Sequence, residues 1–245
     1  MSYAISADNL TKIFGKTTVV DHVSFNINEG IVFGLLGPNG AGKTTTIRML
    51  TTVLKPNDGT AKILGHDIIK EPLKVREIIG VLPEETGLYD RLTPAEILIF
   101  QGKLRGLEKE EILEKTNKYL KMLGLEDNID QKVGTFSKGM KQKVALIRAV
   151  FHEPKIVFLD EPTIGLDVMS AREIRKLITD EAKKGRTVVL STHNMWEAQQ
   201  LCQEVAIINK GKLAMQGSVE NLEKLTQEQS LEDVFVHLVK GETTE

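Results

Sequence analysis

Gly37, Gly42, Lys43 and Thr44 stand in the order G-x-x-x-x-G-K-T within Gly37-Pro38-Asn39-Gly40-Ala41-Gly42-Lys43-Thr44-Thr45. Glycines let a backbone curl until successive N–H groups point inward, which makes a concave nest for an anion. A lysine at this spacing reaches the β- and γ-phosphates of a nucleoside triphosphate, and the threonine hydroxyl ligates Mg2+. That chemistry needs a strand before the loop and a helix after it. Ile31-Val32-Phe33-Gly34-Leu35-Leu36 is apolar enough for a buried strand, and Thr46-Ile47-Arg48-Met49-Leu50 has apolar residues at helical spacing. The positive end of such a helix favours phosphate. The stretch predicts a triphosphate-binding protein.

Ile156-Val157-Phe158-Leu159-Asp160-Glu161 is an apolar strand that ends in two carboxylates. In parallel α/β sheets, ligands gather at the carboxyl ends of strands. Asp160 there can hold Mg2+, and Glu161 can orient or deprotonate an attacking water. A further apolar strand over 187–191 leads into Thr192-His193, where the imidazole can donate to a γ-phosphate. The histidines at 22, 66, 152 and 237 have no such setting and read as structural. Phe136-Ser137-Lys138-Gly139-Met140-Lys141 opens a helix, with Ser137 a good N-cap beside a positive end.

The remaining elements must position these groups. Alternating apolar and polar positions over 3–30, broken at Gly15 and Gly30, predict short antiparallel strands, and residues 60–69 another pair. Residues 77–82 read as a buried strand stopped by Pro83. From 93 to about 150 the pattern turns helical. Thr93-Pro94-Ala95-Glu96 has the residues of a capping box, and 108–123 is an amphipathic helix closed by Gly124. Helices over 170–184 and 196–203 follow, then a hairpin of 204–209 and 212–216. Strands alternating with helices imply a mainly parallel sheet with the helical stretch inserted. Beyond 226 there is one amphipathic stretch (Leu231, Val234, Phe235, Leu238) and a polar end.

The chain of 245 residues is long enough for one large core with an inserted subdomain. A net charge of −2 gives no general reason to expect nucleic acid, which usually demands a basic face, although a local patch is compatible with it. The single cysteine, Cys202, cannot form an internal disulfide, which suits a reducing cytosol. No apolar run is long enough to cross a bilayer, and the first residues lack the apolar segment of a secretory signal. A membrane role is therefore expected to come through a partner.

With GPNGAGKTT, FSKGMKQ, IVFLDEP, GLD and STH in this order, the sequence resembles the nucleotide-binding subunit of ATP-binding-cassette (ABC) transporters over about residues 3–225. The Lys138 and Met140 form is similar to exporter ATPases that serve sodium-, drug- or ABC-2-type permeases. The resemblance implies an α/β P-loop NTPase fold: a RecA-like core with a mainly parallel sheet, an antiparallel β-subdomain and an inserted helical subdomain. The ATPase domain would occupy 1–225, with the helical subdomain at about 86–150, leaving 226–245 as a short tail. ATP and Mg2+ are the implied cofactors, with Gly37 to Thr45 on the phosphates and Thr44, Asp160 and Glu84 near the metal. Lys43, Glu161 and His193 would be catalytic. Phe14 matches the aromatic that stacks on adenine.

The resemblance also implies that two subunits, here a homodimer, meet head to tail, so that Ser137 and Gly139 of one face the γ-phosphate held by the other. Asp167 would cross between the two sites. An integral membrane permease is the implied partner, with the ATPase on the cytoplasmic face of the membrane and force passing near residues 84–91. Two departures stand out. The usual Leu-Ser-Gly-Gly-Gln signature is Phe136-Ser137-Lys138-Gly139-Met140, and Glu84 occupies the place of an expected glutamine. ATP-driven export is the first functional reading. Mechanical or signalling work with a membrane partner is the alternative, and a nucleic-acid-associated cassette or a non-hydrolysing scaffold lacks supporting features.

Overall fold

The computed structural model describes residues 3–240, the last of them by its backbone alone. Tyr3–Phe14 (β1) and Thr17–Asn28 (β2) form one long antiparallel hairpin rather than several short strands, turning at Gly15-Lys16. Register shifts along β1 bend the pair, with Asn9 and His22 at positive φ. Such bulges keep two 12-residue strands from lying flat. Val32–Leu36 (β3) leads into Lys43–Leu50 (α1), as the phosphate-loop pattern requires. Asp58–Ile63 (β4) and His66–Asp67 (β5) complete a four-stranded antiparallel sheet in the order β2-β1-β4-β5.

The expected strand over 77–82 is only partly a strand. Pro72–Ile78 is a helix (α2), with its proline in the first turn and Val75 buried, and Ile79–Leu82 alone forms β6. Glu77 and Ile78 therefore close a helix. The helical insertion consists of Pro94–Leu104 (α3), Lys109–Met122 (α4) and Lys138–Val150 (α5). Thr93 and Glu96 form the expected reciprocal cap on α3.

Ile156–Asp160 (β7), Val168–Lys183 (α6), Thr187–Thr192 (β8), Met195–Leu201 (α7), Glu204–Asn209 (β9) and Lys212–Ser218 (β10) follow. The second sheet has the order β10-β9-β3-β8-β7-β6, parallel throughout except for the β9–β10 hairpin. Its inner strands are apolar on both faces, and alternate residues feed two cores. Val32, Leu36, Val157, Leu159, Val188 and Leu190 pack beneath helices. Phe33, Leu35, Ile156, Phe158 and Val189 pack with α1 and the antiparallel sheet. Strands covered on both faces read as continuous apolar runs, which is why β3, β7 and β8 were legible.

Val219–Thr226 (α8) and Leu231–Lys240 (α9) end the described chain. Residues read as a tail thus include a helix whose Leu231 and Val234 are fully buried in the same core as α7. The polar end, 241–245, lies outside the described residues.

Candidate active site

The phosphate loop is built so that only glycine backbone fits at two points. A Cβ at Gly37 would lie 2.3 Å from the Ile208 carbonyl, and one at Gly42 would lie 2.7 Å from the Val19 carbonyl. Gly42 also has φ +107, a conformation that L side chains rarely adopt. It is the N-cap of α1, and no side chain caps that helix. The first-turn residues Lys43, Thr44 and Thr45 of α1 line a cavity of about 270 Å³, together with Val19, Asn39 to Gly42, Glu84, Glu161 and Ile164. Uncapped amides at a positive helix end, with glycines beside them, suit a phosphate chain.

Lys43 is buried, and its Nζ donates to the carbonyls of Gly37 at 2.8 Å and Pro38 at 3.3 Å. It lies 3.5 Å from Glu161 Oε1. Thr44 Oγ1 donates to Asp160 Oδ1 at 3.1 Å, so the end of β7 meets the start of α1. A hydroxyl and a carboxylate oxygen at this spacing are hard donors of the kind that Mg2+ takes together with substrate phosphates. Among the described residues, no cluster of three or more histidine, cysteine or acidic side chains could hold a metal by itself.

Glu161 accepts from His193 Nδ1, with both carboxylate oxygens at 3.0 Å. Its backbone is at φ +48, a strained conformation for a side-chain-bearing residue. Two contacts hold it there: the Glu161 N–H donates to the Ser191 carbonyl at 3.2 Å and to Ser191 Oγ at 3.1 Å. Ser191 Oγ in turn donates to Asp160 Oδ1 at 2.5 Å. One fully buried hydroxyl thus fixes both carboxylate residues, because β7 and β8 are neighbours with Asp160 opposite Ser191.

A second shared anchor is Glu197, fully buried on α7. Both of its carboxylate oxygens accept from Thr163 Oγ1 at 2.8 Å, and Oε2 lies 3.5 Å from Thr192 Oγ1. Burial raises its carboxyl above the usual range, opposed by the Thr163 hydrogen bond and by Arg175. Gln142 on α5 donates to the Pro162 carbonyl at 3.0 Å, which ties the helical insertion to the segment after Glu161.

Neither Ser191 nor Glu197 was assigned a role from sequence. Ser191 was detectable as the first polar residue ending an apolar strand. Glu197 was detectable as the third residue after Asn194, the spacing of a helix start; Asn194 does cap α7.

Thus the structure brings together Gly40, Ala41, Gly42, Lys43, Thr44, Thr45, Glu84 and Glu161 at one cavity, with Asp160 and His193 in contact with its walls. Asn39 lines it too, whereas Gly37 and Pro38 lie outside the lining and meet Lys43 through their carbonyls. The other expected residues lie away from it. Phe14 is exposed at the tip of the β1–β2 hairpin, with Lys12 Nζ 5.4 Å from its ring centroid. Ser137 caps α5, Gly139 packs against Ser170, and Asp167 caps α6 through Met169 and Ser170. Those hydrogen bonds hold the Asp167 carboxyl below its ordinary range.

Comparison with known proteins agrees with this geometry. Residues 20–164 match the family described as ABC transporter. The chain is 42% identical over 224 residues to the ABC transporter ATP-binding protein NatA of Bacillus subtilis, covering 91% of each. It is 39% identical over 225 residues to the bacitracin transport ATP-binding protein BcrA of Bacillus licheniformis, covering 91% of this chain and 72% of the relative. A solved structure described as the ATP binding subunit of an ABC transporter superposes with a TM-score of 0.89 at 29% identity, covering 96% of this chain and 99% of the other. The family match over more than half of the chain and a relative 42% identical across 91% of both sequences accordingly place this protein in the ABC transporter family, as an ATP-binding subunit that hydrolyses ATP.

Proposed function

We propose that this subunit powers export through a separate integral membrane permease, by pairing head to tail with a second copy around two ATP molecules and reopening on hydrolysis. The observation that supports this reading is that the expected ATP residues do not all gather at one cavity. Lys43, Thr44, Asp160 and Glu161 gather at the phosphate cavity, whereas Ser137, Gly139 and Asp167 lie elsewhere and line no part of it. An N-terminal helix end at Ser137 would then meet the γ-phosphate of the partner's nucleotide.

In this reading Lys43 holds the β- and γ-phosphates, and Glu161 orients and takes a proton from the attacking water. His193 keeps the Glu161 carboxylate aimed through Nδ1, and Nε2 would donate toward the γ-phosphate when the ring carries both protons. Thr44 and Asp160 would hold Mg2+, which when bound neutralises charge on the transferring phosphate oxygens. Glu84 borders the same cavity as Glu161 and would accept hydrogen bonds from water on a bound Mg2+. Its neighbours 86 and 87 are fastened to α5, since Arg148 donates to the Thr86 carbonyl at 2.7 Å and the Gly87 carbonyl at 3.4 Å. Movement of the helical insertion would therefore pull on the segment 84–91 that faces the permease. No helix among the described residues is long and apolar enough to cross a membrane, so the permease supplies attachment to the cytoplasmic face.

Two copies bridged by triphosphate should persist when hydrolysis is blocked. Glu161→Gln mixed with ATP and Mg2+ is expected to elute as a dimer on size exclusion, and as a monomer without nucleotide. A monomer under both conditions contradicts the head-to-tail scheme. Purification from detergent extract is expected to bring down a polytopic membrane protein, whereas a partner with few spans would favour signalling.

A further inference from the structure

We propose that Glu197 is a positioning residue for ATP hydrolysis, holding the segment after Glu161 against the segment before His193 so that these two side chains stay paired. The inference rests on the hydrolytic reading above and extends it to a carboxylate that touches no part of the phosphate cavity.

Three observations support it. First, Glu197 is wholly buried, and a charged side chain in that position needs partners to offset its lost hydration. It has them on two strand ends. Thr163, two residues past Glu161, donates from Oγ1 to both carboxylate oxygens at 2.8 Å. Thr192, immediately before His193, places its hydroxyl 3.5 Å from Oε2. Secondly, neither strand end is regular backbone. Glu161 has positive φ, and Ile164 N–H closes a turn back onto the Glu161 carbonyl at 3.2 Å. On the other side, Thr192 Oγ1 accepts from Asn194 N–H at 3.0 Å as the chain bends into α7. Strained or turning backbone keeps its shape only where surrounding contacts over-determine it.

Thirdly, Glu197 is itself fixed from outside the site. Asn194 caps its backbone N–H at 3.0 Å, and Arg175 on α6 lies 3.6 Å from Oε1 with its guanidinium over the Trp196 ring. A rigid carboxylate thus links α6, α7 and both strand ends. The groups it holds, Glu161 and His193, are 3.0 Å apart. A shift of about 1 Å in such a pair is enough to lower a rate by roughly a hundredfold.

The test compares Glu197→Ala, Glu197→Gln, Thr163→Val and Thr163→Ser in steady-state ATP hydrolysis, each with nucleotide affinity and thermal midpoint measured alongside. Glu197→Ala and Thr163→Val are expected to lower kcat about tenfold or more while the KM for ATP stays within about twofold, because what is lost is alignment in the transition state. Glu197→Gln and Thr163→Ser keep an acceptor and a hydroxyl, and are expected to retain at least about a third of kcat. In the double variant Glu197→Ala/Thr163→Val the losses should not add, since both changes break one link.

Thr163 is only half-buried, so its variants remain informative if Glu197→Ala fails to fold. Folded Thr163→Val with kcat within about threefold of the unaltered chain overturns the proposal, and so does a rise in KM at constant kcat. A loss of thermal midpoint alone, with unchanged kcat for the folded fraction, assigns Glu197 to stability and likewise overturns it. If the unaltered chain itself does not hydrolyse ATP, the failure belongs to the functional reading.

Discussion

Replacing Ser191 by alanine removes one oxygen atom and the link it makes between Asp160 and Glu161. Its Oγ donates to Asp160 at 2.5 Å and accepts from the Glu161 N–H at 3.1 Å, in a site with no solvent exposure. A hydrogen bond to a charged group contributes about 1.5–3 kcal/mol net. The Glu161 N–H keeps its bond to the Ser191 carbonyl at 3.2 Å, so the larger loss falls on Asp160. A change of about 2 kcal/mol in a chain of this size lowers the thermal midpoint by roughly 4–8 °C.

Asp160 also anchors Thr44, so the loosened carboxylate should weaken the metal position. Groups that orient metal ligands typically change affinity about 10- to 100-fold when removed. Differential scanning fluorimetry and a Mg2+ titration of ATP hydrolysis check both effects. A midpoint within about 1 °C of the unaltered chain, with an unchanged half-saturating Mg2+ concentration, would refute the claim that this hydroxyl organises the carboxylate pair.

Gly42→Ala sets a methyl group 2.7 Å from the Val19 carbonyl at φ +107. Strain of about 1–3 kcal/mol at the loop should lower ATP affinity roughly tenfold or more in a fluorescent-nucleotide titration, and wild-type affinity would contradict the loop argument. Burial, helped by Arg105, pushes His152 down to about 4. The unfolded chain therefore binds a proton below about pH 6.5 that the folded chain refuses, so stability rises from about pH 4 to 6.5. His152→Asn should flatten that rise in urea unfolding curves, and an unchanged slope would locate the proton elsewhere. Leu231→Ala, at the fully buried first residue of α9, should remove about 2–5 kcal/mol, and a loss below about 0.5 kcal/mol would mean that α9 is dispensable to the core.

The phosphate loop was legible because its chemistry is local: glycines, Lys43 and Thr44 act within one turn of chain. Asp160 and Glu161 were legible because an apolar strand buried on both faces ends in charge. Helix α2 was not, since its seven residues run straight into β6 and the apolar Ile78-Ile79 pair spans the boundary. Ser191 and Glu197 escaped notice for a different reason. Their partners, Asp160 and Thr163, are 31 and 34 residues away, and only the β7–β8 pairing brings them together. The burial of Leu231 and Val234 against α7 was likewise hidden, because one amphipathic stretch does not name the surface that covers it.

ATP binding by this chain should depend above all on Lys43, buried within the glycine-rich loop. Equilibrium binding of a fluorescent ATP analogue with Mg2+, run on the unaltered chain and on Lys43→Ala, addresses it directly. The expected result is saturable binding by the unaltered chain and at least a tenfold loss on removing the lysine amine, about 1.4 kcal/mol or more. Equal affinity in the two proteins would contradict it.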